Sequence, residues 1–125
     1  MKLSKRLQLI ADVISEYKQG STLADIGSDH GYLPCYLVKN QIITCAYACD
    51  VAKGPLESAK ETIKMHGLED QVFALLGNGL DPLINRQVDM ISISGMGSYL
   101  ISEILDAHRE YLRGVKVMFL QANAN

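Results

Sequence analysis

Short apolar runs rich in β-branched residues alternate with stretches of helical periodicity along this 125-residue chain. Strands that are buried on both faces have continuous apolar sequences, and a helix that connects two such strands makes them parallel. The alternation therefore predicts an α/β fold with a mainly parallel sheet and helices on its faces. We expect five buried strands, at residues 23–26, 44–49, 72–76, 88–94 and 115–120.

Helices are predicted before and between these strands. Apolar residues recur at helical spacing from Leu3 to Ile14, and this pattern ends near Gly20. Further helices are expected at residues 33–39, 55–66 and 99–112, with a short turn around Pro82. The length of the chain and its 48% content of hydrophobic residues are typical of one compact domain, here residues 1–125.

A polar or glycine-rich motif follows each of the first four predicted strands. The carboxyl ends of parallel strands lie at the same edge of a sheet, and ligands of such sheets bind outside that edge. We therefore expect the four motifs to meet on one rim. They are Asp25 to Gly31, Asp50 with Val51, Gly77 to Gly79, and Ser94 to Gly97.

The first of these motifs indicates the charge of the ligand. The spacing of Gly27 and Gly31 differs from the G-x-G-x-x-G fingerprint of dinucleotide sites, and Asp25 and Asp29 would repel a pyrophosphate. S-Adenosylmethionine has no phosphate, and carboxylates attract its sulfonium and amino groups. The motif therefore predicts a site for this cofactor, with a structural turn as the alternative.

The other three motifs supply candidate contacts to the same ligand. Asp50 ends the second predicted strand, where a carboxylate is typical of ribose binding, and a helix cap is the alternative. The amide of Asn78 is a candidate partner for an adenine edge. The loop around Gly95 is a candidate passage for a transferred group. Ordinary turns and helix caps would account for the same glycines.

The charge distribution points to one local basic face. A formal net charge of −2 argues against a surface that binds nucleic acid throughout. Lys2, Lys5 and Arg6 nevertheless fall within two helical turns and are candidate nucleic-acid contacts. A solvated helix face is the alternative interpretation.

Several other classes of site are not indicated by the sequence. His30 and His66 fall on different predicted elements without acidic partners at ligand spacing, so no metal site is expected. There is no G-x-S-x-G elbow or P-loop, which argues against hydrolases and NTPases of those types. No apolar run approaches 18 residues, so a cytoplasmic protein without a membrane segment is expected. The cysteines, expected to be buried reduced thiols, are Cys35, Cys45 and Cys49.

Five segments together carry a family resemblance. They are Leu3 to Leu7, Ala24 to Pro34, Gly77 to Leu80, Ser94 to Gly97, and Leu120-Gln121 followed by Asn123. With them the chain resembles the bacterial tRNA (adenine(22)-N1)-methyltransferase family, TrmK, among the class I S-adenosylmethionine-dependent methyltransferases. The resemblance implies a Rossmann-like sheet with strand order 3-2-1-4-5 and methyl transfer to N1 of an adenine in tRNA. Ser98 and Ala122 depart from the glycine and proline that are usual in the family.

The four motifs contain the candidate site residues. Asp29 and Met96 are predicted to lie near the reacting centre. The predicted cofactor-binding residues are Asp25, Gly27, Ser28, Asp29, His30, Gly31, Asp50, Val51, Asn78, Gly79, Gly95 and Gly97.

The extent of the chain bears on activity and assembly. Members of the family continue beyond the fifth strand with the rest of the sheet and a helical domain that helps to engage tRNA, so this chain resembles their cofactor-binding half. Its fifth strand would then be an apolar edge, which predicts a homodimer through that strand. Two alternatives stay open. One is a non-catalytic cofactor-binding module that acts with a partner, and the other is a methyltransferase whose acceptor is a small molecule or a protein.

Overall fold

The computed structural model describes residues 1–124, and five strands within them form one parallel sheet. The strands are β1 (Thr22–Ile26), β2 (Cys45–Asp50), β3 (Val72–Leu76), β4 (Met90–Gly97) and β5 (Val117–Asn123). They lie in the order β3-β2-β1-β4-β5, and every neighbouring pair is parallel. The predicted α/β fold and the strand order 3-2-1-4-5 are confirmed.

Helices cover the sheet between these strands. They are α1 (Lys5–Tyr17), α2 (Tyr32–Lys39), α3 (Lys53–Met65), α4 (Ser98–Ala107) and α5 (Arg109–Leu112), and a 3-10 turn lies at Asp81–Leu83. The predicted helix over residues 99–112 is interrupted at His108. The backbone of His108, with φ −139° and ψ 48°, lies outside the helical region, so the chain changes direction there.

Local signals in the sequence explain where α1 begins and which face it buries. The side-chain oxygen of Ser4 accepts a hydrogen bond from the backbone N–H of Leu7 at 3.3 Å and caps the helix. Ile10, Ala11 and Ile14 are buried on one face of the helix. Burial of this apolar stripe is the main source of stability for such a helix.

Two apolar clusters form the core, one on each face of the sheet. One cluster joins residues of the first three helices, such as Ile14, Leu37 and Ile63, to Leu23 of β1. The other joins α4 and the 3-10 turn to the neighbouring Ala24. Leu23 and Ala24 are successive residues of β1, so they point to opposite faces of the sheet. The two clusters therefore lie on opposite faces, and helices cover both sides of the sheet.

The two edge strands are less buried than the sequence pattern predicts. β5 alternates between half-buried and exposed positions, and Met118 and Leu120 are 39% and 46% exposed. On β3, Phe73 is 40% exposed. An edge strand has a neighbour on only one side, and the helices extend over it incompletely. The prediction of five fully buried strands is therefore wrong for β3 and β5.

The cysteines differ from the prediction at one position. All three are free thiols, and Cys35 and Cys49 are buried, whereas Cys45 is only partly buried. Burial raises the pKa of Cys49 to about 12 and that of Cys35 to about 11. These two thiols are therefore protonated and unreactive at neutral pH.

Candidate functional site

A cleft of about 380 Å³ opens at the carboxyl ends of β1, β2, β3 and β4. β1 pairs with β2 on one side and with β4 on the other. The order of the strands along the chain therefore reverses at β1, beside the cleft. Ligands of open parallel sheets bind at such a reversal, and the volume lies within the usual range for ligand sites. The predicted site residues that line the cleft are Gly27, Asp29, Asp50, Val51, Asn78, Gly79, Gly95 and Met96.

The remaining predicted site residues lie beside the cleft without lining it. Asp25 is buried at 4% exposure. The exposed ring of His30 stacks on that of Tyr32, with centroids 5.1 Å apart. Gly31 and Gly97 occupy the N-cap positions of α2 and α4. Ser28, which follows Gly27 in the same loop, is half-buried.

Sequence reasoning missed the apolar residues of the cleft. Ile26, Cys49, Pro55 and Leu100 line it together with the polar motifs. Ile26 lies inside the first motif, and the other three lie one or a few residues from a motif, at the end of a strand or in the first turn of a helix. Their positions relative to the motifs were the only available signal, because isolated apolar residues are indistinguishable from core residues in a sequence.

The carboxylate of Asp50 is held in place from two sides. Its Oδ2 accepts a hydrogen bond from the backbone N–H of Asp29 at 3.1 Å, and its Oδ1 accepts one from the N–H of Ala52 at 3.1 Å. An ionised carboxylate has about four acceptor positions. The geometry therefore leaves acceptor capacity for hydroxyl donors in the cleft while it prevents rotation of the group.

The loop after β1 uses its backbone donors inside the protein. The N–H groups of Gly27 and Ser28 both donate to the carbonyl oxygen of Cys49 at 2.9 Å. Phosphate-binding loops instead direct such N–H groups toward the anion. Asp29 adopts a positive φ of 61° and adds a carboxylate to the cleft lining. This loop is therefore suited to a cationic ligand group and unsuited to a phosphate.

Asp25 is a buried acid next to the cleft. Its Oδ1 accepts a hydrogen bond from the hydroxyl of Ser92 at 2.9 Å. Burial raises the pKa of Asp25 to about 6, while the hydroxyls of Ser92 and Ser28 and the charge of Arg6 act in the opposite direction. A strongly shifted acid of this kind is typical of a functional site.

The three basic residues near the start of the chain, Lys2, Lys5 and Arg6, are all exposed. Arg6 donates from Nη1 to the Ser94 hydroxyl at 3.0 Å and to Gln121 Oε1 at 3.5 Å, at the mouth of the cleft. Lys2 and Lys5 are exposed, and within residues 1–124 neither forms an ion pair. Arg6 therefore differs from the two lysines in its contacts at the cleft, and a basic face formed by the three residues stays a prediction.

Three further structural findings concern other classes of site. Among residues 1–124 there is no group of three or more His, Cys, Asp or Glu side chains that is arranged to hold a metal ion. A larger groove, of about 630 Å³, follows the exposed edge of β3 past Tyr47, Phe73 and Lys64, but none of the four motifs reaches it. No helix in the described part of the chain is both long and apolar enough to span a membrane.

Comparison with known sequences identifies similar proteins. The model of a methyltransferase domain family matches residues 3–125. The chain is also similar to the tRNA (adenine(22)-N(1))-methyltransferase of Bacillus subtilis (strain 168). The two are 42% identical over 123 residues, which are 98% of this chain and 50% of that protein.

Similar proteins are also found among solved structures. One is the m1A22 tRNA methyltransferase TrmK of B. subtilis, with a TM-score of 0.85 and 39% identity, covering 98% of this chain and 51% of that one. Another is M. capricolum TrmK in complex with the cofactor product S-adenosyl-homocysteine, with a TM-score of 0.86 and 35% identity, covering 100% of this chain and 54% of that one. The chain thus spans about half the length of these relatives.

Proposed function

This chain belongs to the methyltransferase domain family, and we propose that it binds S-adenosylmethionine in the cleft and forms the cofactor-binding half of a tRNA adenine-N1 methyltransferase. The observation that carries the proposal is the carboxylate of Asp50, fixed by two backbone N–H groups at the carboxyl end of β2. The relatives supply further support, because one is a tRNA (adenine(22)-N(1))-methyltransferase and another was solved with S-adenosyl-homocysteine.

The residues of the cleft fit this cofactor chemically. Asp50 offers fixed acceptors to a ribose diol, and Asn78 offers an amide to an adenine edge. Asp29 in the cleft and the buried Asp25 beside it favour a cationic ligand by Coulomb attraction. The backbone donors of Gly27 and Ser28 are already bonded to Cys49, so a pyrophosphate would find no ready partners there.

The chemistry requires positioning more than acid–base catalysis. When bound, the cofactor supplies an electrophilic methyl group on a sulfonium centre. Adenine N1 carries an in-plane lone pair, so it attacks without prior loss of a proton, and the enzyme has to hold the base in line at about 3 to 3.5 Å. The segment Ser94 to Met96 lines the cleft and would form a wall for the incoming base. N1 lies on the Watson–Crick edge, so the target must be unpaired or flipped out of its stack.

A contact to tRNA through the start of α1 is part of the same proposal. Lys2 and Lys5 are exposed and close in sequence to Arg6, which lies at the cleft. Phosphate contacts through such lysines would make tRNA binding depend on salt. Replacing both lysines with Met should weaken tRNA binding and flatten its salt dependence, without changing the affinity for the cofactor.

The first test is calorimetric titration of the chain with S-adenosylmethionine. We expect micromolar binding, a large loss in Asp50→Ala, and no change in Asp70→Ala, which removes an exposed carboxylate outside the cleft. A folded chain that binds equally well with and without the Asp50 carboxylate would contradict the proposed site.

The second test concerns the acceptor. Methyl transfer from labelled S-adenosylmethionine is measured on unmodified tRNA and on the same tRNA with guanine in place of adenine 22. We expect incorporation only into the first tRNA. Cofactor binding without any transfer to tRNA would reject the enzymatic part of the proposal for this chain. It would favour instead a cofactor-binding module that acts with a partner.

A further inference from the structure

A β-bulge interrupts β4 where that strand forms one wall of the cleft. Ser94 is paired with Gln121 of β5, and Met96 is paired with the next residue, Ala122, so Gly95 is one extra residue in β4. A bulge leaves its extra residue without a partner in the ladder and redirects the side chains around it. Gly95 has a φ of +77°, which glycine adopts without strain.

Side chains rather than the sheet hold this bulge. The N–H of Gly95 donates to Gln121 Oε1 at 2.9 Å. Arg6 Nη1 donates to Ser94 Oγ at 3.0 Å and approaches the same Gln121 oxygen at 3.5 Å. A Cβ atom built on Gly95 would lie 3.3 Å from Arg6 Nη1. The guanidinium of Arg6 therefore lies close to Gly95 and contacts the side chains of Ser94 and Gln121.

The contacts join three parts of the chain that are distant in sequence. Arg6 lies in α1, Ser94 in β4 and Gln121 in β5, and 88 and 115 positions separate Arg6 from its two partners. Ser94, Gly95 and Met96 line the cleft, whereas Arg6 and Gln121 do not. Arg6 and Gln121 can therefore influence the cleft through the bulge, and Arg6 can also act through its charge.

We propose that Arg6 and Gln121 are positioning residues that hold the bulge at Gly95, and thereby fix the wall formed by Ser94 and Met96. The inference rests on the proposed function, in which that wall meets the acceptor base. It assigns Arg6 a role different from a phosphate contact. A residue that binds tRNA phosphate acts through its charge, whereas Gln121 is uncharged and belongs to the same network.

The test compares variants that lose the hydrogen bonds around the bulge with a control variant that loses only an exposed charge. Gln121→Met and Arg6→Met keep the length of each side chain but lose its polar contacts. Gln121→Glu keeps an acceptor for both donors, but it loses the Nε2 donor that bonds to the carbonyl oxygen of Ala122 at 3.1 Å. Arg113→Met removes an exposed arginine that pairs with Glu110 and is no part of the network around the bulge, and it serves as the matched control. Thermal unfolding followed by circular dichroism selects the variants that remain folded.

Two readouts do not depend on activity. Amide exchange of Gly95, followed by NMR, should accelerate about 3- to 10-fold in Gln121→Met, as expected for loss of one hydrogen bond. The methyl signal of Met96 should shift in Gln121→Met and in Arg6→Met and stay in place in Arg113→Met, and Gln121→Glu should retain slow exchange at Gly95. An unchanged Gly95 exchange rate in Gln121→Met would overturn the inference, and so would an unchanged Met96 signal in both Met variants.

Steady-state methyl transfer separates positioning from tRNA binding. We expect Arg6→Met and Gln121→Met to lower kcat about tenfold, with less than threefold changes in KM for tRNA and in cofactor affinity. A rise in KM for tRNA confined to Arg6→Met, with a reduced salt slope, would show a phosphate contact instead. If the unmutated chain transfers no methyl group, the enzymatic proposal fails, and the two NMR readouts still decide the role of the network.

Discussion

At the scale of single residues, the buried Asp25 couples stability to pH. Its pKa is about 6 in the folded chain against an ordinary value of 3.8, so between these pH values the folded state binds more protons than the unfolded state. The free energy of unfolding therefore falls as pH rises through this window, by about 2 to 3 kcal/mol. This loss of stability at neutral pH is consistent with a carboxylate that is retained for ligand binding.

Replacing this carboxylate with an amide should remove the dependence. Asp25→Asn keeps an acceptor for the Ser92 hydroxyl and has no charge to desolvate. We expect it to be more stable than the unmutated chain by about 2 to 3 kcal/mol at pH 7, with the difference shrinking toward pH 4. Urea unfolding at several pH values measures this. A difference that stays constant between pH 4 and 7 would contradict the assignment to Asp25.

Asp29 is the second informative residue, because it is predicted to act near the reacting centre. Its φ of 61° makes Asn the suitable replacement, since Asn tolerates this backbone conformation. If Asp29 assists the reaction, Asp29→Asn should lower turnover about tenfold or more while cofactor affinity changes less than threefold. Calorimetry and methyl transfer on the same preparation test this. Equal losses in both would make Asp29 a cofactor ligand only.

At the scale of elements, Gly31 allows α2 to approach α3 closely. A Cβ atom there would lie 3.1 Å from the side chain and 3.3 Å from the backbone of Ala59, and its φ is +70°. We expect Gly31→Ala to lower the free energy of unfolding by about 2 to 4 kcal/mol, from backbone strain and overpacking together. Denaturant unfolding provides the measurement.

Two other glycines serve as controls for the Gly31 substitution. Gly67 has a similar φ of +65° with nothing within 4 Å of an added Cβ, so Gly67→Ala reports the backbone strain alone, about 1 to 2 kcal/mol. Gly54 lies in α3 with open space and an ordinary φ. Gly54→Ala should stabilise the chain by about 0.5 kcal/mol. If the Gly31 and Gly67 variants lose equal stability, the helix contact is unimportant.

At the scale of the whole molecule, β5 is an edge strand with an apolar surface beside it. Met118 and Leu120 are exposed, and they line a groove of about 330 Å³ together with Leu9 and Val13 of α1. Unpaired strand edges of this kind tend to pair with other chains. We expect a homodimer through β5 at high micromolar concentration, and Leu120→Lys should shift it to monomer. Size-exclusion chromatography with light scattering tests this, and a monomeric unmutated chain would refute it.

Local and periodic features of the sequence determined the architecture. The alternation of apolar runs with helical periodicity predicted the parallel sheet. Placement of the motifs after strands predicted that Asp29, Asp50, Asn78 and Met96 line one cleft, as they do. Both predictions succeeded because they depend on spacing along short segments and on the common direction of parallel strands. The strand order came from the family resemblance.

Only the tertiary structure decided which of these residues contact one another and how deeply they are buried. The burial of β3 and β5 depends on their position at the edges of the sheet, which their apolar composition does not reveal. Arg6 is exposed, as the sequence indicated, but its contact with Ser94 joins residues 88 positions apart. Such contacts arise only when the packing of α1 brings distant segments together. The sequence therefore determined the cleft, and the tertiary structure decided what holds its wall in place.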